Sequence, residues 1–211
     1  NGHLEDVERE EASDLALRVF IGQRQATVSS SDLSDKTRTR LVERAVAMAR
    51  LAPEDPYASL APQDRLAKGP HPDLDLFDAS ERSAEDLEAS AAEAEAAALS
   101  VQGVARSEGG HASWSASEWR LVTSHGFDGH HRGSAFSLGV GVIAEKDGGM
   151  ERGGESRATR QLSDLPGAEE IGLKAGERAV ARVGPRKIAS TTAPVIFDNR
   201  VAGQVLSPLL G

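Results

Sequence analysis

The stretch Ser134–Arg160, SAFSLGVGVIAEKDGGMERGGESRATR, decides the fold. Leu138, Val140 and Val142 stand at period two with Gly139 and Gly141 between them, the pattern of a strand with one buried face. Lys146-Asp147-Gly148-Gly149 follows, and an Asp-Gly pair tolerates the positive φ angles of a tight hairpin. Met150 to Arg160 then returns as a polar strand, in which Gly153-Gly154 marks either a bulge or a close backbone approach. Two long strands of this kind need a helical layer, and the chain supplies three helix-like segments for it.

A smaller hairpin precedes them. Leu15, Leu17, Val19 and Ile21 share one face of a strand in Asp14–Gly22, Gly22-Gln23 turns it, and Arg24–Ser30 returns. Ser34 is the expected N-cap of a helix over Asp35–Leu51, with Leu41, Val42, Ala45, Val46, Met48 and Ala49 forming its apolar stripe. Pro53 and Pro56 end it, and an irregular segment with five prolines runs to Ser80. Ser83 caps a second, alanine-rich helix over Ala84–Ser100, with Asp86 in the capping-box position.

Val101–Gly109 and Ala112–Ser124 are expected to form another strand pair, turning at Gly109-Gly110-His111. On one unbroken strand Trp114 and Trp119 would face opposite sides, unless a turn or bulge intervenes. A third helix spans Ala168–Val183 after Pro166-Gly167, with Ile171, Ala175, Ala179 and Val183 on one stripe and Gly184-Pro185 closing it. Ala193–Phe197 is expected to be a short buried strand. Asp198 or Asn199 would cap a last helix, Arg200–Gly211, whose apolar positions are Val201, Val205, Leu206, Leu209 and Leu210.

Composition narrows the chemistry. The 211 residues carry a net charge of −9 with no basic run, which argues against direct nucleic-acid binding because phosphate neutralisation needs clustered Lys and Arg. Without cysteine the chain has no disulfide, thiol nucleophile or Cys-ligated zinc, as befits a cytosolic protein. No apolar run approaches the roughly 18 residues of a membrane span. Asn1 is not a start methionine and Gly211 falls inside an apolar helical pattern, so both ends are expected to be cut.

Two constellations invite a catalytic reading. Ser29-Ser30-Ser31-Asp32 carries no base at a defined spacing and is expected to be turn and cap chemistry. His125, Asp128, His130 and His131 could bind a transition metal, or could decorate a mobile Gly-rich loop. The loop reading is favoured, because nothing in the pattern fixes ligand geometry.

Seven words occur in one order: SSSDLS (29–34), DLDLFD (73–78), EGG (108–110), SHG (124–126), VIAEKDGGMER (142–152), VGPRKI (183–188) and APVIFDN (193–199). Together they resemble the TldD/PmbA family, on its PmbA (TldE) side. The resemblance implies an α+β fold, a largely antiparallel sheet of long hairpins packed with about three helices. It assigns residues 1–192 to an N-terminal domain lacking its first elements, and 193–211 to the start of a mostly absent C-terminal β-rich domain. TldD-type members are metalloproteases with a His-Glu-x-x-x-His helix just after the strand matching APVIF, where two histidines hold the metal and the glutamate activates water. In this chain Ser207 stands at the first histidine and Pro208 at the glutamate, and the second histidine position would be residue 212.

The resemblance therefore implies no catalytic, cofactor or metal residues in this chain, with zinc expected only in a TldD-type partner. It implies a cytoplasmic, non-catalytic subunit of a proteolytic dimer or higher assembly acting on unfolded peptides, with links to microcin maturation and antitoxin turnover. Neither nucleic acid nor membrane is an expected partner. Two alternatives are an active metallopeptidase with atypical ligands (His125, His130 or His131) and a modulator of DNA gyrase acting by protein contact.

Overall fold

In the computed structural model, which describes residues 3–69 and 71–210, the elements run β1 (Leu15–Ile21), β2 (Arg24–Ser30), α1 (Asp35–Leu51), α2 (Ala84–Ser100), β3 (Val104–Val122), β4 (Asp128–Lys146), β5 (Gly149–Thr159), α3 (Ala168–Arg182) and α4 (Asn199–Leu210). Single 3-10 turns at Gln63–Arg65 and Leu162–Asp164 interrupt the loops. Two antiparallel sheets result, β1-β2 and β3-β4-β5, giving a mixed α+β fold.

The deciding stretch behaves as its pattern dictates. Leu138, Val140 and Val142 are buried on one face of β4, and β4 turns into β5 through Asp147 (φ 51°) and Gly148 (φ 79°). Gly153-Gly154 is a close approach and not a bulge: the β4–β5 register is continuous through Val142↔Gly153 and Gly141↔Gly154. A Cβ at Gly153 would meet the α3 backbone at Ala179, so only glycine lets helix and strand come this close.

Over that face lie α2 and α3. Ala94 and Ala98 of α2, Ile171, Ala175 and Ala179 of α3, and Leu138, Val140, Val142 and Ala144 of β4 form the main core. Small side chains on both helices allow close packing, which offsets the modest apolar area each alanine brings. The helical layer contains two helices, not three. Instead, α1 packs on the small hairpin, where Val28, Leu41 and Ala45 make a separate core with Leu17 and Val19. The α1 stripe is also narrower than its periodicity suggests, because Val42 and Met48 face solvent and a two-stranded sheet covers only one row of the helix.

Capping follows the sequence closely. Ser34 Oγ accepts from the Thr37 N–H, and Ser83 with Asp86 forms both halves of a capping box. Asp198 caps α4, its Oδ1 accepting from the Arg200 N–H at 3.0 Å.

Three expectations need correcting. The strand pair over Val101–Ser124 is one 19-residue strand, β3, which pairs along β4 from Val104↔Ala144 to Val122↔Asp128. Gly109 (φ 108°) does not turn the chain. It is absorbed in a bulge between Ser107 and Gly109, with the Gly109 N–H donating to Ser107 Oγ at 2.9 Å. An equally long β4 rewards continued pairing over a turn. Accordingly, Trp114 and Trp119 face opposite sides, Trp114 half-buried and Trp119 exposed.

The presumed Gly-rich loop at 125–131 is mostly strand as well, since Asp128–His131 open β4. Ala193–Phe197 forms no strand and is exposed, Ile196 at 95%, because no described strand lies beside it. Asn1 and Gly211, named in the sequence reading, and Pro70, one of the five prolines before Ser80, lie outside the described residues.

Candidate functional site

Ser207 and Pro208 occupy the last turns of α4. Both are exposed, as are Val205, Leu206 and Leu209 around them. This donor set does not fit a hydrolytic metal: a neutral hydroxyl is a poor zinc ligand, and proline offers neither a lone pair on its backbone nitrogen nor an acid–base group.

The histidine-rich segment does not converge on a metal either. His125 Nε2 lies 2.6 Å from the Ala61 carbonyl oxygen and Nδ1 lies 3.0 Å from Thr123 Oγ1. Donation from Nε2 leaves Nδ1 to accept the hydroxyl proton, so both nitrogens are committed. His130 and His131 are successive strand residues and point to opposite faces. His131 packs at 5.9 Å from the Trp119 ring, and His130 stands opposite Arg120. Asp128 receives the Arg120 guanidinium, whose Nε donates at 2.7 Å and which holds the carboxyl below its ordinary range. Among the described residues, no group of three or more His, Asp or Glu side chains is placed to hold a metal ion.

The word DLDLFD earns its place structurally, which its sequence alone did not reveal. β5 ends opposite Phe136, and beyond that point Leu76–Asp78 takes over its side of β4, the Ser134 N–H donating to the Leu76 carbonyl at 3.0 Å. Buried Ser134 is the hub: its Oγ accepts from the Asp78 N–H at 2.8 Å and donates to the Arg160 carbonyl at 2.7 Å. The Asp78 carboxylate accepts from the Leu162 and Ser80 N–H groups, which hold it below the usual carboxylate range. Arg132 covers the Phe77 ring at 3.7 Å, a cation–π contact that closes the strap. The legible signal was the spacing of Asp73 and Asp78 two residues before N–H donors, the Asx-turn pattern.

A buried charge cluster lies between β5 and α3. Glu155, 4% exposed, pairs with Arg157 at 3.0 Å and with Arg178 of α3. Burial, reinforced by the nearby Arg200 guanidinium, pushes Arg178 below its ordinary value.

A hairpin covered by α1, a three-stranded sheet covered by α2 and α3, and a strap along β4 together define a mixed α+β scaffold. The chain matches the PmbA/TldA metallopeptidase domain 1 over residues 1–49 and the PmbA/TldA metallopeptidase central domain over residues 77–183. It belongs to the PmbA/TldD family. Metalloprotease PmbA of Escherichia coli O157:H7 is 36% identical over 211 residues, covering 100% of this chain and 47% of that relative. The chain therefore spans about half the length of that curated relative.

Solved structures agree in fold. A candidate modulator of DNA gyrase from Bacteroides thetaiotaomicron superposes with a TM-score of 0.80 at 23% identity, covering 93% of this chain and 45% of that one. TldE from Thermococcus kodakarensis does so with a TM-score of 0.70 at 19% identity, covering 84% and 40%. No described helix is long and apolar enough to cross a membrane.

Proposed function

We propose that this chain is part of a non-catalytic, PmbA/TldE-type subunit of a cytoplasmic TldD/PmbA metalloprotease assembly that processes unfolded peptides. The single observation that carries it is Ser207-Pro208 in α4, where the family resemblance expects the metal-binding histidine and the catalytic glutamate. The Ser207 hydroxyl is a poor zinc ligand and Pro208 has no group to activate water, so hydrolysis falls to a TldD-type partner that carries the metal. The kinship to metalloprotease PmbA supports a protease-related role.

Peptide capture by strand addition suits the scaffold. Among the described residues, the outer edge of β3, 19 residues long, has no strand beside it, so its backbone groups can pair with an extended chain. Each main-chain hydrogen bond adds about 0.5–1.5 kcal/mol without regard to side chains, so affinity arises without sequence preference.

Affinity purification of the tagged protein from its own cells, followed by mass spectrometry and zinc analysis, tests the reading. A TldD-type subunit should co-purify, with zinc in proportion to that subunit. Recovery of the chain without it, with stoichiometric zinc lost on replacing His125, His130 or His131, would establish instead the active-peptidase alternative.

A further inference from the structure

The open face of the large sheet ends, near the β4–β5 turn, in a groove of about 400 Å³. Its position follows from register. Arg106 of β3, Ile143 of β4 and Arg152 of β5 are direct cross-strand partners, so the three side chains stand in a row on one face. Val142, the neighbour of Ile143, points into the helical layer. Ile143 therefore points away from that layer, yet it is only 7% exposed, and together with Met150 it gives the groove an apolar floor.

Arginines form the rim. Arg182, in the last turn of α3, reaches round the β5 edge and donates from Nη1 to the Arg152 carbonyl oxygen at 2.8 Å, so a third guanidinium joins the two on the sheet. Carboxylates answer them only in part. Glu108 takes Arg152 at 2.9 Å, and Glu151 lies on the groove wall. Among the described residues, Arg106 and Arg182 have no carboxylate partner. Arg182 is held by the Arg152 carbonyl, and Arg106 Nη2 meets the Met150 sulfur at 3.6 Å, a thioether being a weak acceptor. In a chain of net charge −9, this concentration of unpaired guanidinium over an apolar floor is a local reversal of sign.

We propose that this groove binds a carboxylate carried on an apolar group, the carboxylate lying between Arg106 and Arg182 and the apolar group on Ile143 and Met150. A guanidinium presents parallel N–H donors that match a carboxylate in bidentate fashion, and such charge-assisted bonds are about twice as strong as neutral ones. Two sources share this chemistry, the C-terminal residue of a peptide and a free branched-chain acid. The inference concerns a binding site on the isolated chain and does not depend on a TldD-type partner or on proteolysis.

Isothermal titration of the full chain distinguishes the outcomes, using acetyl-Gly-Gly-Leu with a free carboxylate, its C-terminal amide, and isovalerate. The free-acid peptide should bind at least about tenfold more tightly than the amide, since a tenfold ratio corresponds to roughly 1.4 kcal/mol, within the range of one charge-assisted bond. Isovalerate binding as tightly as the peptide would assign the site to free acids, and much weaker binding would assign it to peptide termini. Arg106→Gln and Arg182→Gln should each weaken the acid and leave the amide unchanged, with far-UV circular dichroism confirming an intact fold. Equal affinity for acid and amide, no binding of any probe at millimolar concentration, or full affinity retained in a folded Arg106→Gln variant would each overturn the proposal.

Discussion

Adding one methyl group at Gly172 should destabilise the protein although it improves the helix. Gly172 lies in α3 where that helix meets α2. A Cβ there would press on the Ala94 carbonyl oxygen, with Ala97 Cβ at 2.7 Å and Ala98 N at 2.9 Å. Carbon atoms in good contact stand about 3.5–4.0 Å apart, so the helices must separate by about 1 Å. A gap of that size forfeits a quarter to a half of the dispersion well for the contacts across the interface, among them Ala94 and Ala98 against Ala175. Overpacking of this kind costs about 1–3 kcal/mol or more, whereas glycine-to-alanine in a helix interior gains about 1 kcal/mol.

With three atoms of α2 inside 3.0 Å, two of them backbone, the crowding cost falls in the upper part of that range, about 2–3 kcal/mol, so Gly172→Ala should lose a net 1–2 kcal/mol or so, lowering Tm by about 2–8 °C for a chain of this length. Gly203→Ala in α4 is the control, because a Cβ there meets nothing within 4 Å. That change should leave the urea midpoint of the body unaltered or slightly raised. Urea unfolding followed by far-UV circular dichroism reads both variants. A Gly172→Ala protein as stable as the parent would refute the claim that glycine is required by helix proximity.

Other consequences are equally accessible. Ser134→Ala removes an acceptor from the Asp78 N–H and a donor to the Arg160 carbonyl, so it should cost about 1–3 kcal/mol in urea unfolding and expose the 53–82 segment to limited proteolysis. Because backbone N–H groups depress the folded pKa of Asp78, its stabilisation is present above the ordinary carboxylate range and is lost as pH falls through the folded value. Asp32, Asp86 and Asp198 are depressed in the same direction, so urea midpoints should drop on acidification, and Asp78→Asn should shrink that drop without abolishing it. Arg178→Ala leaves the Glu155 carboxylate in the core with Arg157 alone and should cost about 3–5 kcal/mol, while the further change Glu155→Gln should recover part of it. The double change S207H/P208E supplies one histidine and one glutamate to an exposed helix end, and elemental analysis after dialysis should still find zinc well below one per chain.

The readable parts of the fold are those whose cause is local. Period-two apolar residues at 138, 140 and 142, the Asp147-Gly148 turn and the caps at Ser34 and Ser83 each act within a few residues, and each forms as its pattern requires. Gly109-Gly110 was opaque because a glycine pair serves a turn or a bulge equally well, and the length of the partner strand decides between them. Likewise the apolar stripe of α1 and the alanine-rich body of α2 each mark a helix, but which sheet each covers depends on contacts distant in sequence. Ala193–Phe197 failed for a related reason: a short apolar run becomes a strand only where another strand lies beside it.

The two candidate sites differ in the same way. The reading of Ser207 and Pro208 uses side-chain chemistry alone, since a hydroxyl and an imino acid are poor hydrolytic groups in any backbone, and their standing at a metal position is what the family resemblance implies. The arginine groove could not be found so, since Arg106, Arg152 and Arg182 lie on three elements and become neighbours only through the β3–β4–β5 register and the reach of α3 round the sheet edge. That register itself depends on the bulge near Gly109, which sets which residues of β3 face Ile143. The single feature misread as a turn is therefore the one that aligns the arginines, and straightening it would rotate Arg106 off the open face.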